Sequence, residues 1–304
     1  MSTDQNPPGI SPTAIKVAPF QQIAVDDGFA QTKIAYRGED GEIKTHLVRS
    51  AIRHGAIGAV SGDGAVSTYE TDNGKTIMTV SDNVAGEATT FNGFHTSAMN
   101  RILVAHSLVS AGIEGPTVDI CAGLPISNFF TGTQRNAAFI AQKESNLRIP
   151  VFPYPKDGSV CLRYGKIHIG CQAIAAYLDY ALNDDLSDRE EAGDLDRVAV
   201  VDIGGRTTDI AVILNGSTFD DTRSGTDNIG VLEVQNSVSR LIEARFKIEA
   251  AQFSAPVLDQ AVRTGFIKLW GKKTDVSQEV AAAKADVEQK LVTAISKRLG
   301  GGSD

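Results

Sequence analysis

Apolar residues come in two kinds of run along this chain. Short, nearly continuous runs bounded by Gly, Asp or Asn predict strands, and longer ones recurring every three or four positions predict helices. Two segments share one grammar. Val25-Asp26-Asp27-Gly28-Phe29-Ala30-Gln31-Thr32-Lys33-Ile34-Ala35 and Val201-Asp202-Ile203-Gly204-Gly205-Arg206-Thr207-Thr208-Asp209-Ile210-Ala211 each read as an apolar strand, a turn carrying acid and glycine, and a second apolar strand. Residues 43–48 predict a further strand, and 55–93, rich in Gly, Ser, Thr, Asp and Asn, predict short strands and loops. From 94 to 111 the spacing turns helical through His95, Ala98, Met99, Ile102, Leu103, His106, Leu108 and Val109, with Gly112 as the stop. Val118 to Pro125 then reads as a buried strand ending in a Gly/Pro turn. Residues 131–145 predict a helix, 149–154 and 160–169 short strands, and Gln172 to Leu182 a strongly helical run. Two more helices are predicted over 231–246, with Val234, Val238, Leu241, Ile242 and Phe246 on one side, and over 277–299.

The repeated opening, each followed by helices, predicts a duplicated α/β architecture of mixed sheets flanked by helices. The acidic, polar stretch 183–196 interrupts two apolar blocks and marks the main boundary. The expected layout is a first domain over 20–190 with a small inserted subdomain around 45–93, and a second domain over 191–304. The Pro-rich, polar residues 1–19 read as a flexible extension.

The turns also carry chemistry. Glycine lets a ligand approach the backbone closely, and successive exposed amides form an anion-binding nest. Asp26 and Asp202 would repel a bare phosphate, so a cation between them reconciles the two features. Mg²⁺ suits the role because it keeps its waters and is held by few carboxylates together with substrate phosphates.

Composition narrows the field. With 304 residues, 42% of them hydrophobic and 22% charged, the chain is an ordinary globular one. A net charge of -8 argues against broad binding to a nucleic-acid backbone. Cys121, Cys161 and Cys171 have no paired CxxC spacing, so buried reduced thiols are expected in place of a disulfide framework or zinc site. No basic leader precedes an apolar stretch at the N-terminus, and no apolar window approaches the roughly 20 residues that span a bilayer. No membrane partner and a cytoplasmic location are the expectation.

On the two hairpins, on Ala122-Gly123-Leu124-Pro125 and on Gln172-Ala173-Ile174-Ala175-Ala176-Tyr177, in that order along the chain, the sequence resembles the actin-like ATPases, the superfamily of actin, Hsp70 and sugar kinases, and within it the plasmid-segregation filament proteins of the ParM/StbA type. The resemblance implies the actin-like, ribonuclease-H-like duplicated fold. It implies ATP, or GTP, with Mg²⁺ as cofactors, and nucleotide hydrolysis coupled to polymerisation into filaments that segregate plasmid DNA through a DNA-bound adaptor protein, with no direct nucleic-acid contact. By position, Asp26 and Asp202 would hold the metal through water, and Gln172 would orient the attacking water. Phosphates would be held by Asp27, Gly28, Phe29, Ala30 and Lys33 in the first hairpin, by Gly204, Gly205, Arg206 and Thr207 in the second, and by Asp227 and Gly230 in a further loop.

The chain departs from that pattern in two places. Phe29 and Ala30 stand where many relatives carry Ser or Thr, which leaves only backbone donors. The family's strand and Gly-rich adenosine loop are not found after Leu299, and Gly300-Gly301-Gly302 are not equated with them. A fragment, or a differently built base pocket, is the expectation. Two alternatives stay open: a small-molecule kinase of the same superfamily, and an interaction module without hydrolysis. Plainer readings also stay open for single residues. Asp favours turns, Lys33 suits an exposed strand, Gln172 suits a helix start and Arg206 suits a surface pair. His95 and His106, without a metal-spaced set, and Trp270, as a packing anchor, are read as structural.

Overall fold

The computed structural model describes residues 15–16, 22–57, 66–81, 86–114, 117–155, 162–193 and 195–300. Most of the expected extension 1–19, Cys161 and residues 301–304 lie outside the described residues. Ile15–Lys16 pair in parallel with Ile113–Glu114.

The first half is built on a five-stranded sheet in the order Tyr164–Cys171, Val118–Leu124, Gln22–Asp27, Gln31–Arg37, Ile43–Arg49. The last three form an antiparallel meander, whereas Gln22–Asp27, Val118–Leu124 and Tyr164–Cys171 run parallel. Parallel neighbours require crossovers, and the helices Ala98–Ser110 and Ala137–Leu147 lie on those connections. Ile23, Val25, Ile34, Val104, Leu108, Ile120 and Leu147 close the core between sheet and helices. Because the three parallel strands end on one side, Asp26, Pro125 and Gln172 arrive at the same edge, where open α/β sheets place their ligands.

A second, all-antiparallel sheet orders Val151–Pro153, Ser67–Thr71, Thr76–Val80 and Ile52–His54 over a core of Ile52, Tyr69, Met78, Val80, Phe94 and Ile102. It begins later than the expected insertion at 45. Ile43–Arg49 is paired along its whole length with Gln31–Arg37, and that register keeps it in the main sheet.

In the second half, Arg197–Ile203 and Thr208–Leu214 form an antiparallel pair, and Thr218–Phe219 and Gly225–Asp227 add to the far side of Thr208–Leu214. Helices Leu232–Phe246, Ala255–Thr264 and Ser277–Leu299 pack with the hairpin Phe266–Leu269/Lys272–Asp275 around Val238, Ile242, Leu258, Ala261, Ile267, Leu269 and Val280. The helix Ala255–Thr264 and its hairpin are absent from the expected elements. Their signals are local: Pro256 in the first turn and Gly265 at φ 74° as the helix stop. Among the described residues no helix is long and apolar enough to cross a membrane.

Two structural expectations are corrected. Trp270 does not pack: it is 76% exposed, because it occupies the hairpin's two-residue tip with Gly271, at φ 47° and 80°, beyond the reach of the helices below. Cys171 is buried but Cys121 is exposed, since it alternates with buried Ile120 and Ala122 along one strand.

Candidate functional site

The site begins with cross-strand register. Asp26 lies opposite Lys33, and their side chains form an ion pair of 3.0 Å. Gln172, the first residue of its helix, donates from Nε2 to the other Asp26 oxygen at 2.9 Å. Gly123 permits this approach, because a Cβ there would stand 2.5 Å from Gln172 Cγ. In the turn itself, the carbonyls of Gly28, Phe29 and Ala30 accept from Ser50 Oγ, Thr89 Oγ1 and the Ser50 amide. The turn is therefore held from the side of residues 50 and 89.

In the second hairpin Asp202 lies opposite Asp209, and the turn closes through the Gly204 amide donating to Thr207 O at 2.9 Å. The carbonyls of Gly204 and Gly205 accept the amides of Val231 and Leu232 at 3.0 and 2.9 Å, which seats the helix Leu232–Phe246 on the turn. Gly230 makes that seating possible: a Cβ there would run into the Gly205 carbonyl oxygen and the Arg206 backbone. Gly230→Ala is expected to cost on the order of 3 kcal/mol by forced overpacking, read as a lowered midpoint in urea unfolding.

The two turns touch. A Cβ on Gly205 would lie 2.7 Å from Ala30 Cβ, so glycine is what lets the tips approach. Beside them opens a cavity of about 410 Å³. Of the expected residues, Asp26, Gly28, Phe29, Ala30, Lys33, Gln172, Asp202, Gly204, Gly205 and Thr207 line it. Four do not. Asp27 is sealed beneath the first hairpin at 0% exposure, bound by Lys143 Nζ and by Asn100 Nδ2, so its carboxylate cannot touch a ligand in the cleft. Arg206 leans across to the first half, its guanidinium 5.3 Å from the Phe29 ring centroid and donating to Asn92 Oδ1 at 3.0 Å. Asp227 is taken by Arg298, at 2.8 Å to Nε, and Gly230 supports the turn from behind.

The cavity also has walls outside the expected site residues. His95, Arg49 and Pro125 lie on the first half, and Asp209, Val231, Leu232, Gln235, Asp259 and Arg263 on the second. The last five sit on or at the start of two helices, so the pocket extends well past the hairpins. Apolar spacing in 231–246 was visible, but which face the helix turns to the cleft depends on its seating on Gly204 and Gly205.

Electrostatics give the site its asymmetry. Burial, and then the facing charge of Asp26, push the Asp202 carboxyl up, with Lys33 opposing. Burial pushes Asp209 up to about 6, against hydrogen bonds from Thr226 Oγ1 and the Ile126 amide. The Ile126 bond crosses from the first half to the second. Because Asp209 titrates higher in the fold than in the unfolded chain, the native metal-free protein binds more protons, and its stability falls as pH rises from about 4 through 6. Asp209→Asn keeps an acceptor and removes the charge. It is expected to raise stability at pH 7 by up to about 3 kcal/mol and to flatten that slope in urea unfolding at pH 5 and pH 7.

Asp26 and Asp202 line one cavity, and the charge of Asp26 bears on Asp202, so the two carboxylates suit a hydrated divalent cation. Among the described residues no group of three or more His, Cys, Asp or Glu forms a protein cage. Two carboxylates suit a cation held through its waters and completed by ligand phosphates, the way Mg²⁺ is commonly held.

Family models match both halves of the chain. The family model for the N-terminal part of the plasmid segregation protein ParM matches residues 21–169, and that for the C-terminal part of the archaeal MreB-like actin homologue matches 200–304. No curated protein sequence matches significantly. Among solved structures, the archaeal actin homologue Ta0583 superposes with a TM-score of 0.69 at 19% identity, over 92% of this chain and 83% of that one. Its complex with ADP gives 0.67 at 20% identity, over 92% and 82%. ParM in a 15-stranded filament from Clostridium botulinum gives 0.64 at 16% identity, over 91% and 84%.

Proposed function

This chain is an actin-like protein related to ParM, and from that premise we propose that it binds a nucleoside triphosphate with Mg²⁺ in the cleft between its two hairpins and polymerises head to tail. The observation that carries the reading is the convergence of Asp26 and Asp202 with two glycine turns on one cavity of about 410 Å³. Similar structures support this reading: the archaeal homologue has been solved in complex with ADP, and a ParM of Clostridium botulinum as a 15-stranded filament.

In this reading the turn at 28–30 and the turn at 204–207 present amides to the phosphates from opposite sides. A metal ion, when bound, neutralises phosphate charge and orients the terminal group. Asp26 and Asp202 hold its waters, Lys33 adds a positive charge beside Asp26, and Gln172, already fixed on Asp26, orients the attacking water. The turns belong to different halves, so a terminal phosphate gripped by both favours closure, and its loss favours opening. Closure is the step that favours polymer. The cellular role we assign is partition of plasmid DNA in the cytoplasm, with DNA reached through an adaptor protein because the chain is acidic.

Sedimentation and light scattering of the protein with Mg-ATP, Mg-GTP and no nucleotide test this. Polymer that appears only with a triphosphate, with release of inorganic phosphate, is expected. Failure of every triphosphate to raise the melting temperature or to produce polymer would overturn the reading.

A further inference from the structure

The two most exposed large apolar side chains among the described residues are Leu186 at 77% and Trp270 at 76%. Both stand at loop tips with left-handed backbone, φ 66° and 47°, where a bulky residue is uncommon. Trp270 is the only tryptophan of the chain. Neither residue is hanging on a loose strand. Trp270 is carried by a fully paired hairpin whose Ile267 and Leu269 are buried in the second half's helical core. Leu186 is carried by a turn closed by the Asn183 amide on Ser187 O at 2.8 Å, the Leu186 amide on Asn183 O at 2.9 Å and the Ser187 amide on Asp185 Oδ1 at 3.0 Å.

The surroundings of the two tips have opposite charge. The hairpin Phe266–Asp275 exposes Lys268, Lys272 and Lys273 against one acid, Asp275, on a chain whose net charge is -8. The turn of Leu186 exposes Asp184, Asp185, Asp188 and Glu190 against one base, half-buried Arg189. Both tips are exposed in the chain, so neither is covered by the other. Joined between copies, two different surfaces make a heterologous contact, the kind that extends into a filament when its rotation does not close.

We propose that the Trp270 hairpin of one copy docks on the acidic Leu186 turn of the next, forming the contact along the polymer. Tryptophan in a lysine rim is well suited to this, as a large rigid anchor whose surrounding charges select the partner face. The proposal rests on the polymerisation reading above and names the surface that reading leaves open.

The single tryptophan gives the test its own signal. On assembly of the full chain with Mg-ATP, Trp270 emission is expected to shift to the blue and become protected from acrylamide quenching. Trp270→Ala and Leu186→Asp are each expected to raise the critical concentration at least about 10-fold, while leaving the Mg-ATP thermal shift unchanged. Lys272→Glu/Lys273→Glu and Asp184→Lys/Asp188→Lys are each expected to block assembly alone, and the four-residue combination to restore it. If wild type forms polymer with unchanged tryptophan emission, or if Trp270→Ala assembles as wild type does, this contact is overturned and the polymerisation reading stands. If wild type forms no polymer with any triphosphate, both fall.

Discussion

Asp202→Asn is expected to abolish the stabilisation that Mg-ATP gives the protein while leaving the metal-free fold at least as stable as wild type. The two halves of this outcome have separate causes. In the metal-free protein Asp202 is partly buried and faces Asp26, so its charge is disfavoured there, and burial with that repulsion pushes its carboxyl up. The amide side chain removes the repulsion. With Mg-ATP, the same charge is what the hydrated cation requires. Outer carboxylates of this kind commonly change metal affinity 10–100-fold. A fall of roughly 100-fold in Mg-ATP affinity by calorimetry is therefore expected, together with a melting temperature in EDTA no lower than that of wild type. A variant that binds Mg-ATP as wild type does would remove Asp202 from the site. A variant that melts early in EDTA would show that its carboxylate holds the fold instead.

Much of this arrangement was written in the chain. The hairpins were legible because each combines an apolar strand with an acid and a glycine turn, and the strand and helix limits at 118–124, 172–181, 232–246 and 277–299 follow the apolar spacing closely. The choice between neighbouring acids was also legible in principle. Ile23, Val25 and Asp27 share one face of a strand whose side chains alternate, and that face is buried. Asp26 is left for the cleft and Asp27 for the core, so the run Asp26-Asp27 holds one ligand group and one structural group. The rest depended on tertiary placement. Arg206 and Asp227 look like site residues until Phe29, Asn92 and Arg298 are brought beside them. Asp209 becomes a bond between halves only because the Ile126 amide, just past the end of the strand Val118–Leu124, reaches it from the first half. Trp270 reads as a core residue by type, and only the hairpin turn after a glycine-stopped helix lifts it into solvent.

The buried Asp27 leads to the largest stability effect expected in the molecule. Its carboxylate and Lys143 are both at 0% exposure, Asn100 donates to it at 2.5 Å, and His95 Nδ1 stands 3.7 Å away. Burial acts to raise its pKa, but Lys143 and His95 outweigh burial and hold it at about 2. A carboxylate whose pKa is lower in the fold contributes stability that is present above the unfolded value near 4 and is lost as pH falls towards 2. Lys143→Met removes the counter-charge and leaves the acid buried, which typically costs about 3–5 kcal/mol. The sign of the Asp27 contribution should then reverse. Without Lys143, burial dominates, Asp27 binds its proton more tightly in the fold than out of it, and stability rises more steeply than in wild type as pH is lowered from 7 to 5. Asp27→Asn with Lys143→Met removes both charges together, so it is expected to recover most of the loss and to return the slope to that of wild type, which Asp209 sets. Urea unfolding of wild type, the single and the double variant at pH 5 and pH 7 reads all three quantities. A single variant as stable as wild type, or one that weakens further on acidification, would mean that this pair does not anchor the first hairpin. The anchoring matters for the site because Asp26 and Asp27 are adjacent on one strand: the residue that fixes Asp27 below the sheet also fixes the direction in which Asp26 meets the cleft.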